Sequence, residues 1–61
     1  MAPSDLNEID AEIRLMKRSA EALSLLGKDF PAINRNVARI LASIKMLEIN
    51  ISDLIELDSE S

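Results

Sequence analysis

The sequence predicts an all-α fold, an antiparallel two-helix hairpin dimerising into a four-helix bundle. Three observations predict it. Hydrophobic residues make up 48% of the 61 and charged residues 30%, a mix rich in Ala, Leu, Ile, Glu, Lys and Arg that favours helices over strands or disorder. Glycine and proline are rare, and Gly27 and Pro31 bracket one short break in the middle of the chain. On either side of that break, large apolar residues recur at alternating intervals of three and four, the heptad pattern of packed helices.

The first helix is expected over about residues 5–26. Ser4 or Asp5 is the expected N-cap. Asp5 and Glu8 have the spacing of a capping box, and Asp10 and Glu12 add acid near the positive end of the helix dipole. The seam of this helix reads Leu6, Ile9, Ile13, Met16, Ala20 and Leu23. Gly27 sits where a left-handed C′ glycine belongs, with Lys28 just past the negative end. Residues 27–30 form the turn. Asp29 or Phe30 is the next cap position, Phe30 is expected to plug the hairpin end, and Pro31 suits a first helical turn because its missing N–H costs nothing there. The second helix is expected over about 31–57, with the seam Ile33, Val37, Ile40, Ile44, Leu47, Ile51 and Leu54; the polar tail 58–61 is expected to fray. All of this makes one domain, 1–61.

Two helices of matched pattern joined by so short a loop should pack antiparallel. Pairing positions whose numbers sum to about 57, centred on the turn, sets Leu6 near Ile51, Ile13 near Ile44 and Glu12 near Lys45. Leu26, Leu41 and Ile55 flank the seam and are expected in the core. Chains of this length bury only about 60% of their unfolded surface. This one has neither Cys nor His, which removes disulfides and the common zinc sites. Association is the remaining support, so the thirteen seam residues are read as a self-association seam as well as a hairpin contact.

A second stripe lies about 160° from the seam at roughly 100° per residue: Ala11, Leu15, Ala22 and Leu25 on helix 1, and Ala38 or Ala42, Met46 and Ile49 on helix 2. With Ile55 and Leu57 on the overhanging end of helix 2, these form a candidate face for a second protein. Singly exposed aliphatics are the plainer explanation. Charge is also organised. Asp5, Glu8, Asp10 and Glu12 open helix 1, while Glu48, Asp53, Glu56 and Asp58 close helix 2; Arg14, Lys17, Arg18, Arg35 and Arg39 occupy the turn half. Two such hairpins would attract head to tail, so an antiparallel homodimer is expected; dipole compensation with a solvated face is the alternative.

Composition argues against several function classes. A net charge of −4 gains nothing from a phosphate backbone, and Phe30 is the one aromatic available for base stacking, so nucleic-acid binding is disfavoured. No His, Cys or Tyr is present for acid–base or nucleophilic work, and no glycine-rich phosphate loop or HExxH occurs. Neither enzyme activity, cofactor nor metal is expected; Glu8 with Glu12 and Glu56 with Glu60 read as solvated acid. The Asn50-Ile51-Ser52 sequon reads as a chance match, and the Lys17-Arg18-Ser19 run resembles a basophilic kinase site only weakly. Arg39, Lys45, Glu48, Asp53 and Glu56 interrupt the apolar stretch 38–57, so no membrane span is expected. The opening residues lack a basic and apolar leader, and the expected location is the cytoplasm. The function these readings imply is a non-enzymatic protein–protein interaction module, a self-associating hairpin acting as adaptor, inhibitor or regulator. A small non-catalytic accessory subunit of a larger enzyme complex and an RNA-binding hairpin dimer are the alternatives.

Overall fold

The computed structural model describes residues 3–60, with side chains described for residues 5–57. Two helices, α1 (Pro3–Leu26) and α2 (Pro31–Glu60), pack against each other as a hairpin about 48 Å long and 15 Å across. No helix is long and apolar enough to cross a membrane among the described residues. Two boundaries differ from expectation. Ser4 and Asp5 lie inside α1 rather than capping it, and Asp5 occupies the first turn, where its charge meets the positive end of the dipole. At the other end α2 runs to Glu60, past the expected end at residue 57, while Ser61 lies outside the described residues.

The turn shows what Gly27 is for. Its N–H donates to the Leu23 carbonyl at 2.8 Å and so continues the α1 ladder; the Phe30 N–H then donates to the Gly27 carbonyl at 2.9 Å. No described residue has a positive φ, which corrects the expectation of a left-handed glycine. The requirement is for space. Gly27 is buried, and a Cβ there would lie 2.5 Å from Ile33 Cγ2 and 3.0 Å from the Leu23 carbonyl oxygen. Phe30 is the cap residue of α2, since its carbonyl accepts the first helical bond, from Asn34 N–H at 2.9 Å, and Pro31 follows at the first helical position. Phe30 does not plug the hairpin end: its side chain is 59% exposed, and Gly27 against Ile33 closes that end instead.

Six apolar residues are only 3–7% exposed: Leu6, Ile13 and Ala20 on α1, and Val37, Ile44 and Ile51 on α2. With Gly27 they recur every seventh residue, so one column of each helix faces the other. Along α1 the column shrinks toward the turn, from Leu and Ile to Ala and then Gly. Along α2 it shrinks from Ile51 and Ile44 to Val37. The taper leaves the least side-chain bulk between the helices beside the turn, where Gly27 meets Ile33. Leu41 packs against this cluster as expected. Leu26 does not: it is 78% exposed, because six residues beyond Ala20 it has rotated about 120° from the contact line. Ile55 is also exposed, near the end of α2, the longer helix at 30 residues against 24.

One ion pair crosses between the helices, Lys17 Nζ to Glu48 Oε2 at 3.4 Å, and another, Asp10 to Arg14 at 2.9 Å, lies along α1. The expected approach of Glu12 to Lys45 does not occur. Glu12 precedes Ile13 and lies on the flank of Met16 and Leu47, whereas Lys45 follows Ile44 and lies beside Lys17 and Glu48 on the opposite flank. Both ends of the Lys17–Glu48 pair remain in partial contact with water. Replacing Lys17 with Met should therefore change the unfolding free energy by less than about 0.5 kcal/mol in urea titration. A loss above about 1.5 kcal/mol would make the pair a principal orienting contact, contrary to its exposure.

Candidate interaction surface

The other seven seam residues are not buried. Ile9, Met16 and Leu23 on α1, and Ile33, Ile40, Leu47 and Leu54 on α2, are each 36–48% exposed. The seam is thus two columns, one closed inside the hairpin and one open. Six of the open residues follow a buried position by three and Ile33 precedes Val37 by four, rotations of about 60° and 40° to one side of the contact line, and the antiparallel arrangement turns both helices' open columns to the same flank. Ile9, Met16 and Leu47 line one stretch of this flank, and Met16, Leu23 and Ile40 line the next. Met16 and Glu12 belong to both, so the two stretches adjoin across the middle of the hairpin.

The opposite flank has a different character. Residues four beyond each buried position are Asp10, Lys17 and Ser24 on α1, and Leu41, Glu48 and Ile55 on α2. The Lys17–Glu48 pair spans this side, and Lys45, Ile49 and Ser52 line the same crease. The hairpin therefore presents one largely aliphatic face, bordered on α1 by Asp5, Glu8 and Glu12, and one largely polar face. Along the aliphatic face, the α2 rim carries Asn36, Ser43 and Asn50 at seven-residue spacing, with no charge to desolvate.

The stripe expected to form a second partner face is exposed throughout: Ala11, Leu15, Ala22 and Leu25 on α1, and Ala38, Ala42, Met46 and Ile49 on α2. Its two halves are not brought together. Each half points away from the helix contact, so the two lie on opposite outer sides of the hairpin. Ala11 and Leu15 border the aliphatic groove, whereas Ile49 borders the polar crease. Ile55 and Leu57 are exposed near the end of α2.

Charge divides along the long axis. The turn half carries Arg14, Lys17, Arg18, Lys28, Arg35 and Arg39 against Glu21 and Asp29; the terminal half carries the remaining acids against Lys45 alone. Among the described residues, no three carboxylates converge in a way that could hold a metal ion. No protein-family model, no curated protein and no solved structure matches this chain.

Proposed function

We propose that this chain is a non-enzymatic protein–protein interaction module, a helical hairpin that self-associates through its aliphatic face into a four-helix bundle and serves as an adaptor, inhibitor or regulator. The observation that carries this reading is the open column: seven large apolar residues, each 36–48% exposed, on one flank, five of which line two adjoining stretches of groove. Contiguous apolar surface with a polar rim marks an interaction site, because leaving it in water is unfavourable. A face about 48 Å by 15 Å offers roughly 700 Å² per copy, close to the ~800 Å² per partner of a stable interface. Two such faces together would bury the open columns as the closed columns are buried now, giving each helix the two-column core of a bundle.

Leu47→Glu tests this at the middle of the face. The variant should remain helical but raise the dissociation constant of self-association at least about 100-fold, equivalent to ~2.7 kcal/mol, when followed by sedimentation across a wide concentration range. A variant that associates as tightly as the parent would overturn the assignment of this face.

A second reading is a small accessory subunit docked on a larger enzyme. It draws support from the end of α2, where Leu54, Ile55 and Leu57 are exposed. A weakly helical monomer that gains structure only with another chain would favour it. The RNA-binding alternative draws only on the basic turn half, and strong salt-dependent binding to structured RNA would be its mark.

A further inference from the structure

We infer that the occupant of the aliphatic face is a second copy set antiparallel, the turn of one over the chain ends of the other, with α2 against the partner's α2 and Met46 at the two-fold axis. The inference rests on the self-association proposed above and specifies its geometry. A symmetric pair of hairpins can bury both aliphatic faces in two ways. With both turns at the same end, α2 of each copy lies against α1 of the other. With the turns at opposite ends, α1 lies against α1 and α2 against α2.

The residues that decide between these follow the buried column by two: Glu8, Leu15 and Ala22 on α1, and Arg39, Met46 and Asp53 on α2. They border the aliphatic face on its outer edge, as Leu15 does in the groove it shares with Met16, Leu23 and Ile40. In the opposite-end arrangement α2 meets itself in reverse. Met46, central in its column, then meets the partner's Met46, and Arg39 meets the partner's Asp53, once on each side of the axis. In the same-end arrangement the acidic end of α2, with Asp53, lies beside the acidic opening of the partner's α1, so like charges share each edge. The bulk charge acts in the same direction. Opposite-end pairing lays the basic turn half on the acidic terminal half twice, whereas same-end pairing stacks like on like. Rim charges are individually weak, yet like-charge juxtaposition is penalised and the difference between arrangements selects one. The arrangement also covers Met46 and Leu15, which the single hairpin leaves half exposed.

The chain contains no cysteine, so single-thiol variants report contacts without background. Met46→Cys, held in glutathione disulfide buffer, should convert most of the chain into a covalent dimer. An equimolar mixture of Leu15→Cys and Met46→Cys should give little of the mixed disulfide. Arg39→Asp should weaken self-association at least about tenfold, and Arg39→Asp with Asp53→Arg should restore it, as reversal of a complementary pair requires. If the chain sediments as a dimer but the mixed disulfide between the Leu15→Cys and Met46→Cys chains dominates, the antiparallel arrangement is overturned while self-association stands. If the chain sediments as a monomer at every concentration, self-association falls, and this geometry with it.

Discussion

Ile44→Asp should abolish the helical circular-dichroism signal of the chain at room temperature. Ile44 is 3% exposed and lies at the centre of the closed column, in one cluster with Leu6, Ile13, Ala20 and Ile51. Among the described residues no polar or charged side chain is buried, so a carboxylate at this site would find no donor. An unpaired buried charge together with the lost aliphatic volume costs upward of about 3–5 kcal/mol. A 61-residue chain with so small a core, at roughly 0.05 kcal/mol per residue, has only about 3 kcal/mol in total. Ile44→Val is the control: it removes one methylene, should cost about 0.5–1.5 kcal/mol and should leave the chain folded. Full helicity in Ile44→Asp would mean that the two helices are not held together through this column.

The second large effect runs against ordinary helix propensity. Gly27 lacks a positive φ and its N–H is part of the α1 ladder, so Gly27→Ala on local grounds alone should stabilise by about 0.5–1 kcal/mol. The tertiary contact reverses the sign. A Cβ at 2.5 Å from Ile33 Cγ2 and 3.3 Å from Ile33 Cβ meets the stiff base of a β-branched side chain, and the Leu23 carbonyl stands 3.0 Å away on the other side. Ile33 cannot move aside without shifting the first turn of α2, nor the Leu23 carbonyl without disturbing the last turn of α1. The expected loss is about 1–3 kcal/mol. In a domain of this size that corresponds to a fall in melting temperature of roughly 4–8 °C per kcal/mol. Combining Gly27→Ala with Ile33→Ala should show a coupling of about 1 kcal/mol or more in a double-mutant cycle, because removing the Ile33 methyl relieves the clash. A melting temperature equal to or above that of the parent in Gly27→Ala alone would refute the close-approach account.

How the two columns divide explains what could and could not be read from the chain before its helices were placed. Alternating intervals of three and four identify all thirteen seam residues as apolar and helical, because they depend only on 3.6 residues per turn. They do not distinguish Ile13 from Ile9, since a heptad seam faces whatever packs on it. One partner helix covers one column, and the six residues it covers are those at sevens from Leu6 and from Val37. The position of Glu12 relative to Lys45 failed for a related reason. A matching level along the axis does not ensure a shared flank, and the residues before and after a buried position rotate to opposite sides. The outer stripe, too, reads as continuous on each helix separately and becomes two distant surfaces once the helices are antiparallel.

What the amino-acid sequence determined by itself is therefore local and periodic. Helix content, the break at 27–30, a cap at Asp29 or Phe30 ahead of Pro31 and the sign of charge along each helix all follow from interactions within a few residues. The hairpin follows from them because so short a link between two apolar seams leaves little choice but reversal. Only the tertiary structure decided which half of the seam is closed, that the opposite flank is polar and bridged by Lys17 and Glu48, and that Gly27 serves close approach rather than an unusual backbone angle. Those features depend on the rotation of each helix about its own axis and on the distance between the two axes. Both quantities are set by packing between residues far apart in the chain, which no local pattern encodes.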